Sequence, residues 1–538
     1  MSLITASISV AGPADVDPAL GRAAEAVDAG ARLIEWRVDR LASVSGGAAA
    51  VIDLVKRSPA PCIVTCRLKA EGGEYDGGEA ARARLLAAVT KSDSPPRYID
   101  LELASYRSDG LLRKTIEEAL AGNERDIRTA LILSVHDFEG RPADLLQSVE
   151  TMAATQGCAV SKVAWRARSI RSNLEALDLL AERAGPMIAV CMGPFGLMSR
   201  VLAGKFGGLL TYASLRADEA TAPGQPTVAE LGKIYRFGRI GPQTKVYGVF
   251  GWPVEQSLGP VIHNAGFEAT GHDGVYLPLP IPPEYEHFKA TVGALLDHRR
   301  LGFRGASVTS PHKENLVRFV RESGGTIHPA SARIGAANTL IVNDDRSIEC
   351  INTDAPAAVS ALCAGMEIEP SALKGQRVAV LGAGGVARAI VAALSDAGAA
   401  VTIFNRTRAR AEALVAELAA LRPESGTPAR VVVGDPGALG GAGGFDVFVN
   451  CTPVGMAGGP APGKSPLPDD VPLDRSVTVF DTVYHPRRTP LIEQAESQGA
   501  KVIGGLDMFL RQAAMQFERW TGEAAPMEVF EKRVKSEE

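Results

Sequence analysis

Eight short apolar runs recur along the first part of the chain, separated by alanine- and leucine-rich segments with helical spacing such as 111–121 and 173–184. The runs occupy residues 3–10, 32–38, 62–67, 98–103, 130–135, 159–165, 187–192 and 208–213. Eight strands that alternate with helices predict a closed parallel (β/α)8 barrel of the TIM type over residues 1–237. In such a barrel the functional side chains lie at the carboxyl ends of the strands.

Charged residues are concentrated at those strand ends. They are Glu35, Arg37, Asp39, Arg67, Asp100, Glu102, His136, Asp137, Lys162 and Arg200. A single buried charge is costly unless it is paired, so many charges of both signs at one barrel mouth favour a binding site. The mixture of charges indicates a ligand that is anionic and carries several hydroxyl groups.

Lys162 is the strongest candidate nucleophile. Val160, Val163 and Ala164 flank it, and an apolar setting would favour the neutral, nucleophilic amine. The alternative is a lysine whose stem is buried and whose ammonium reaches the barrel rim. His136 is expected one strand away, within reach for proton transfer, although it could equally be a structural histidine. Together the two residues predict imine chemistry with a proton shuttle.

A second set of apolar runs starts at residue 245 and predicts two further domains. We expect a small α/β domain over 244–356, completed by C-terminal helices within 505–535, and a dinucleotide-binding Rossmann domain over 372–504. The run 376–381 leads into a glycine fingerprint and a helix. Its glycines permit a tight turn and a close approach of phosphate. The fingerprint consists of Gly382, Ala383, Gly384, Gly385, Val386 and Ala387.

The next strand, 400–404, ends at Asn405, Arg406 and Thr407, and Arg410 follows. An NAD-binding protein offers a carboxylate to the ribose 2′-hydroxyl at this point, whereas arginines favour the 2′-phosphate of NADP. The alternative to a cofactor site is a purely structural role, in which this segment is an exposed helix start with Thr407 as its N-cap. The sequence therefore predicts NADP as the cofactor.

Composition changes this picture little. Hydrophobic residues make up 46% of the 538 residues and charged residues 22%, with a net charge of −5, as in ordinary globular proteins. No basic footprint indicates nucleic acid, and no apolar run reaches the roughly eighteen residues of a membrane span. Seven scattered cysteines predict reduced thiols and no metal site. With no leader segment before the first strand, we expect a cytoplasmic protein that binds small molecules, and its oligomeric state stays open.

Seven ordered motifs in the first 235 or so residues resemble type I 3-dehydroquinate dehydratase. They are Glu35-x-Arg37-x-Asp39, Thr65-x-Arg67 with Glu71-Gly72-Gly73, Asp100-x-Glu102, Ser134-x-His136-Asp137-Phe138, Lys162-x-Ala164, Gly196-x-x-Ser199-Arg200 and Ala222-Pro223-Gly224-Gln225. The resemblance implies Lys162 as the Schiff-base lysine, His136 as the acid and base, and Glu102 as the residue that orients His136. It also implies a set that holds the hydroxyls and carboxylate of the substrate: Glu35, Arg37, Arg67, Arg200, Gln225 and Thr221, a threonine where serine is usual.

Residues 244 to about 535 resemble shikimate dehydrogenase in the same way. The motifs include Thr309-x-Pro311-His312-Lys313, Gly335-Ala336-Ala337-Asn338-Thr339, Asn352-Thr353-Asp354 and Gly504-Gly505-Leu506-Asp507-Met508. The resemblance implies Lys313 and Asp354 as the catalytic pair. It implies substrate contacts from Ser257, Thr309, Asn338, Tyr484 and Gln512, and NADP contacts from the fingerprint, Asn405, Arg406, Thr407, Arg410, Thr452, Met456 and Gly505.

Two departures from that family pattern keep alternatives open. Gly259 stands where a second serine is usual, which removes a hydrogen bond of about 1.5–3 kcal/mol and opens space for the extra hydroxyl of quinate. Ala355 stands where glycine is usual, which puts the following turn in doubt. A quinate dehydrogenase is therefore one alternative for the second half. The other is a regulatory pseudoenzyme of the same folds, against which the retention of Lys162, His136, Lys313 and Asp354 argues.

Overall fold

Eight parallel strands form the first sheet, at the positions that the apolar runs predict. The structure, a computed structural model, describes residues 2–121, 128–419, 430–435, 439 and 444–536. The strand order β7-β6-β5-β4-β3-β2-β1-β8 closes on itself, because the amide of Leu209 donates to the carbonyl of Met187 (2.9 Å). The predicted (β/α)8 barrel is confirmed. Its strands are β1 Leu3–Ser9, β2 Leu33–Arg37, β3 Cys62–Thr65, β4 Tyr98–Glu102, β5 Ala130–Asp137, β6 Cys158–Arg166, β7 Met187–Met192 and β8 Leu210–Ala213.

The two faces of each strand are buried in different surroundings, because successive side chains point to opposite sides of a sheet. Ile63, Ile132 and Ile188 pack together inside the barrel. Trp36 is also fully buried, but its indole nitrogen donates to Ser58 Oγ (3.3 Å) beside the helix layer, as expected. This alternation is why charged residues at strand ends can face the mouth while their neighbours pack against helices.

Helices α1 to α8 cover the barrel. After β8 the chain forms only a five-residue π-helical turn, Glu230–Ile234, and Arg236 beyond it is left-handed (φ 51°). Helical hydrogen bonding does not continue through a left-handed residue. The covering helices are α1 Val16–Asp28, α2 Gly47–Lys56, α3 Glu79–Thr90, α4 Leu103–Ser108, α5 Gly110–Ala121, α6 Leu145–Ala154, α7 Ser172–Glu182 and α8 Leu197–Val201.

A second, mixed sheet of six strands has the order β10-β9-β11-β13-β14-β12. β11 and β14 both pair antiparallel with β13. The strands are β9 Lys245–Gly251, β10 Gly274–Pro280, β11 Phe303–Val308, β12 Thr326–Ile327, β13 Thr339–Val342 and β14 Ile348–Ile351. The helices of this segment are α9 Gly259–Thr270, α10 Tyr285–Asp297, α11 Lys313–Glu322, α12 Pro329–Ile334 and α13 Asp354–Met366.

A third sheet of six parallel strands has the order β17-β16-β15-β18-β19-β20, which is the doubly wound order of a Rossmann fold. Val378 and Val380 of β15 pack on one face and Ala379 and Leu381 on the other, so both faces are covered. The strands are β15 Arg377–Leu381, β16 Ala400–Phe404, β17 Val431–Val433, β18 Val447–Asn450, β19 Thr478–Asp481 and β20 Lys501–Ile503, with helices α14 Gly385–Asp396, α15 Arg408–Ala419 and α16 Pro490–Gln498.

Two C-terminal helices, α17 Gly505–Thr521 and α18 Met527–Ser536, pack on the second sheet. The Trp520 indole donates to the carbonyl of Leu340 (3.0 Å), and Gln516 accepts from Ser307 Oγ (2.7 Å). The chain forms two compact units, one of residues 1–246, 273–281 and 291–302, the other of residues 247–272, 282–290 and 303–538.

Four strands had no prediction, and each lies at an edge of its sheet. β12, β17 and β20 have only two or three residues, too few for a periodic signal. β10 contains Pro278, a residue that argues against a strand in the interior of a sheet but is tolerated at an edge.

Candidate active sites

The strand ends of the barrel carry the predicted polar side chains into one cavity. It has a volume of about 510 Å³ including its mouth. The barrel topology therefore brings together residues that lie up to 190 positions apart in the chain, from Glu35 to Gln225. Eight predicted site residues line the cavity: Glu35, Arg37, Arg67, His136, Lys162, Arg200, Thr221 and Gln225.

Lys162 is buried, but its amine lies among charges rather than in an apolar setting. Its Nζ donates to Asp100 Oδ2 (2.7 Å) and lies 3.8 Å from Glu35 Oε1. Burial alone would raise the pKa of Asp100, but the charges of Arg67 and Lys162 outweigh it and hold the pKa well below its usual range. The apolar flanks of Lys162 say little about its amine, because a strand side chain contacts neighbouring strands rather than its own flanks.

His136 is held by a carboxylate on a loop. Its Nδ1 lies 3.0 Å from Glu71 Oε2, and its backbone amide donates to the same oxygen (3.0 Å). Burial, followed by the charges of Arg67 and Lys162, lowers the pKa of His136 well below its usual value, so the ring is neutral at pH 7. Burial raises the pKa of Glu71 to about 7. A neutral imidazole oriented through Nδ1 leaves Nε2 as the candidate base.

Two glycines allow Glu71 to reach His136. Gly72 has φ +76°, and a Cβ there would overlap the Phe138 ring at 2.2 Å. A Cβ on Gly73 would come 2.1 Å from the carbonyl oxygen of Arg67. Only a loop without side chains at these two positions can fold this close to the strand ends, which explains why glycines follow Glu71 directly.

The expectation that Glu102 orients His136 is corrected by this geometry. Glu102 forms an ion pair with Arg67 (3.0 Å) and accepts hydrogen bonds from the amide of Leu68 (3.1 Å) and from Arg82. Burial would raise the pKa of Glu102, but the two arginines lower it overall. Glu102 therefore holds Arg67. The residue that contacts His136 is Glu71, which belongs to the Glu71-Gly72-Gly73 motif but had no predicted role.

Arg200 is a buried cation without an acidic partner among the described residues. It is 1% exposed, its Nη1 donates weakly to the carbonyl of Tyr212 (3.4 Å), and its Nε has no partner. Burial lowers its pKa to about 10. Arg37, in contrast, pairs with Asp39 (2.7 Å). An uncompensated guanidinium in a cavity is expected where the ligand supplies the negative charge.

Thr221 and Gln225 belong to one loop after β8. Gln225 Oε1 accepts from the Thr221 amide (2.9 Å) and from Thr221 Oγ1 (3.1 Å). The two side chains therefore present themselves to the cavity as one unit. The threonine that replaces the usual serine keeps the hydroxyl in use.

A second cluster of predicted residues lies where the second and third sheets meet helix α17. Lys313 Nζ donates to Asp354 Oδ2 (2.6 Å), and Asn338 Nδ2 donates to Asp354 Oδ1 (2.9 Å). Gln512 Oε1 lies 3.3 Å from the same Asn338 amide. Four of the residues predicted from the resemblance thus form one connected hydrogen-bond network, with an ammonium and a carboxylate at its centre.

The other predicted substrate residues are less directly joined to that network. Tyr484 stacks on Phe509 (4.8 Å between ring centroids), one turn before Gln512 on α17. Ser257 Oγ accepts from the amide of Gly259 (3.2 Å), and the Thr309 amide donates to a backbone carbonyl (2.8 Å). Within the described ranges, the Ser257 and Thr309 side chains make no hydrogen bond to Lys313 or its partners.

The glycine fingerprint lies directly beside Lys313. Gly382 turns the chain after β15 with φ +111°, and a Cβ there would come 3.1 Å from the carbonyl oxygen of Cys451. α14 begins at Gly385, and the Lys313 stem lies 3.4 Å from where a Gly385 Cβ would be. Ala387 is fully buried in the helix packing. The turn, the open helix start and the small third residue fit the backbone that a dinucleotide pyrophosphate requires.

Arg406 and Arg410 are exposed beyond the end of β16. In the parts of the chain that the structure describes, neither has an acidic partner, whereas their neighbour Arg408 pairs with Glu412 (2.8 Å). Asn405 Nδ2 donates to the carbonyl of Thr407 (2.8 Å), which closes the turn before α15. Two unpaired arginines at this strand end fit a cofactor with a 2′-phosphate.

A buried network supports the loop expected at the nicotinamide end. Thr452 donates to Asn450 Oδ1 through its amide (2.9 Å) and its hydroxyl (2.7 Å). Asn450 Nδ2 donates to Asp481 Oδ1 (2.9 Å), and burial raises the pKa of the Asp481 carboxyl. Met456, further along the loop, is 38% exposed. Gly505 starts α17, and a Cβ there would meet the carbonyl oxygen of Thr482 at 2.5 Å.

Four family models match the chain in order. They are type I 3-dehydroquinase over residues 8–242, shikimate dehydrogenase substrate binding domain over 249–340, shikimate / quinate 5-dehydrogenase over 364–424 and shikimate 5'-dehydrogenase C-terminal domain over 505–535. A bifunctional 3-dehydroquinate dehydratase/shikimate dehydrogenase of Arabidopsis thaliana, chloroplastic, is 33% identical over 96% of this chain and 82% of its own length. The chain belongs to this bifunctional dehydratase/dehydrogenase family.

Other relatives match the dehydrogenase half or the whole chain. The shikimate dehydrogenase (NADP(+)) of Methanocella arvoryzae is 41% identical over 53% of this chain and 97% of its own length. The solved dehydroquinate dehydratase and shikimate dehydrogenase from S. pombe covers 99% of this chain and 98% of its own, at 24% identity and a TM-score of 0.41.

The remaining observations concern membrane spans, metal sites and cellular location. Among the described residues, no helix has the length and apolar character of a membrane span, and no cluster of three or more metal-ligating side chains occurs. The Arabidopsis relative is chloroplastic, so the cytoplasmic location stays a prediction.

Proposed function

We propose that the barrel dehydrates 3-dehydroquinate to 3-dehydroshikimate and that the second half reduces this ketone to shikimate with NADPH. The dehydratase assignment is supported chiefly by one observation. Lys162, His136 and Arg200, a cation without an acidic partner among the described residues, line the same cavity. The product of the barrel is then the substrate of the dehydrogenase half.

In the barrel, the Lys162 ammonium gives up a proton, and the freed amine attacks the ketone carbon of the substrate. Two protons of the original ammonium leave with the carbonyl oxygen as water, which gives a protonated imine with one N–H. The imine withdraws electrons and makes the neighbouring C–H acidic. Neutral His136 removes that proton through Nε2, and the resulting enamine expels the hydroxyl at C1. The hydroxyl takes the proton back from His136 and leaves as water, and hydrolysis of the imine releases the ketone and restores Lys162.

The charges around the cavity support this assignment. Arg200 has no carboxylate partner of its own among the described side chains, so the carboxylate of the substrate can compensate its charge. Asp100 lies 2.7 Å from the Lys162 amine and stabilises its positive charge. Glu35, at 3.8 Å, can accept the proton that the ammonium gives up and return it as water leaves. Glu71 keeps the proton of His136 on Nδ1, which leaves Nε2 free to accept.

In the second half, Lys313 gives a proton to the ketone oxygen and Asp354 orients its ammonium (2.6 Å). NADPH, when bound, supplies the hydride. Asn338 donates to Asp354, Gln512 accepts from Asn338, and both residues can offer hydrogen bonds to substrate hydroxyls. Arg406 and Arg410 would hold the 2′-phosphate, the fingerprint residues the pyrophosphate, and Thr452 and Met456 the nicotinamide end.

Trapping of the imine tests the barrel chemistry. Sodium borohydride added to the full-length protein with 3-dehydroquinate should reduce the imine, and mass spectrometry should find the adduct on Lys162 and none in Lys162→Ala. Dehydratase turnover without any adduct would contradict the Schiff base. Neither turnover nor adduct would support the alternative of a metabolite-sensing regulator.

Quinate is the second candidate substrate of the dehydrogenase half, and Gly259 is the observation that favours it. The Gly259 amide donates to Ser257 Oγ, and no side chain is present at position 259 to add a second hydroxyl. The ratio of kcat/KM for shikimate and quinate, measured with NADP and with NAD, decides between the two. A higher value for quinate would overturn the shikimate assignment.

A further inference from the structure

The ring of Tyr212 faces the amine of Lys162. Tyr212 lies on β8 and lines the cavity, and its side chain is 6% exposed. Lys162 Nζ lies 4.4 Å from the ring centroid. A cation within roughly 6 Å of an aromatic centroid is attracted to the electron-rich face of the ring, most strongly where both are desolvated.

The hydroxyl of Tyr212 does not explain why an aromatic residue occupies this position. It is buried, and it has no hydrogen-bond partner among the residues that the structure describes. Burial, followed by the charges of Glu35 and Asp100, raises the pKa of Tyr212 well above its usual value, so the phenol stays neutral. Tyr212 therefore offers Lys162 a neutral aromatic face and neither a proton acceptor nor a counter-charge.

The ring and the carboxylates act differently on the two cations that Lys162 forms. As an ammonium, Lys162 has three N–H donors and uses one on Asp100 (2.7 Å). As a protonated imine it keeps a single N–H, so its capacity to donate hydrogen bonds to the neighbouring carboxylates is reduced. Attraction to an aromatic face needs only the positive charge. The ring can therefore stabilise the imine cation at the stage when hydrogen bonds are fewest.

We propose that Tyr212 is a positioning residue for Lys162, whose ring holds the lysine cation against the cavity as ammonium and then as protonated imine. The proposal rests on the proposed Schiff-base function of the barrel. It assigns the effect to the aromatic ring and none of it to the hydroxyl.

Two types of substitution in the full-length protein separate the ring from the hydroxyl. Tyr212→Phe keeps the ring and removes only the hydroxyl, whereas Tyr212→Leu and Tyr212→Met remove the ring and keep an apolar side chain. Dehydratase kcat and KM are measured together with the fraction of protein that borohydride traps at a fixed time. KM for 3-dehydroquinate reports whether the barrel of each variant is folded, and dehydrogenase activity of the same chain reports on the other half.

Loss of the ring should lower dehydratase kcat about 2- to 30-fold and the trapped fraction with it, while KM for 3-dehydroquinate stays within about twofold. Tyr212→Phe should stay close to the wild type in both readouts. The proposal is overturned if a ring-less variant with intact dehydrogenase activity keeps its kcat and trapped fraction. It is also overturned if Tyr212→Phe loses as much as Tyr212→Leu. Failure to trap the wild type would instead refute the Schiff base itself.

Discussion

Replacement of Glu71 by glutamine should slow the dehydratase and change its pH profile. Glu71 Oε2 contacts both Nδ1 and the backbone amide of His136 at 3.0 Å. Glutamine keeps the size of the side chain and an acceptor oxygen but removes the charge. The substitution therefore tests whether the carboxylate, rather than the loop, makes His136 an effective base.

The expected size of the effect follows from the charge on that hydrogen bond. A hydrogen bond to a charged group contributes about 1.5–3 kcal/mol and a neutral one about 0.5–1.5 kcal/mol. The difference of roughly 1–2 kcal/mol applies mainly when His136 becomes positively charged, and it corresponds to a loss of about 5- to 30-fold in kcat.

The pH profile gives a second, independent readout. Because burial raises the pKa of Glu71 to about 7, its carboxylate form is lost as pH falls through 7. The wild type should therefore lose dehydratase activity below pH 7, although the pKa of His136 lies well below 6.5. In Glu71→Gln this titration is absent, so activity should stay level from pH 8 down to about 6 at its reduced value.

The assay is dehydratase kcat between pH 5.5 and 9, with Glu74→Gln as a matched control. Glu74 lies on the same loop, but its carboxylate pairs with the exposed Arg40. The control should behave as the wild type does. Wild-type kcat and an unchanged acid limb in Glu71→Gln would refute the reasoning.

Two further predictions concern the dehydrogenase half. Replacing both Arg406 and Arg410 by alanine should raise KM for NADP about tenfold or more and leave KM for NAD nearly unchanged, because only the 2′-phosphate needs the two arginines. Arg408→Ala is the control, and equal losses with both cofactors would contradict the assignment. Gly505→Ala should lower the unfolding temperature by a few degrees, because its Cβ would come 2.5 Å from a backbone oxygen, and overpacking costs about 1–3 kcal/mol. Gly504→Ala, with open space around its Cβ, should have no such effect, and equal melting temperatures would contradict the argument.

The barrel was predictable because its strands are buried on both faces and therefore appear as separate apolar runs. The same runs define the ends at which Lys162, His136 and Arg67 meet, so six of the eight cavity residues followed from the strand ends. Thr221 and Gln225 lie on a loop, and only the resemblance implied them. Three of the edge strands have only two or three residues, and β10 contains a proline, so their pattern was too weak to predict.

The partner of His136 was harder to predict than its position. Glu102 ends β4 and was expected at the barrel mouth, but Arg67 and Arg82 occupy its carboxylate. Glu71 comes from a loop whose path depends on contacts of Gly72 with Phe138. Which of two nearby carboxylates reaches a histidine depends on such tertiary contacts, and strand periodicity does not contain them.

One chain is expected to carry out two successive reactions at separate sites. The direct measurement supplies 3-dehydroquinate and NADPH to the wild type, Lys162→Ala and Lys313→Ala, and follows NADPH oxidation and all three metabolites. The wild type should form shikimate. Lys162→Ala should leave 3-dehydroquinate unchanged yet still reduce added 3-dehydroshikimate, and Lys313→Ala should accumulate 3-dehydroshikimate without oxidising NADPH. Dehydration by Lys162→Ala at the wild-type rate, or shikimate formation by Lys313→Ala, would contradict the account.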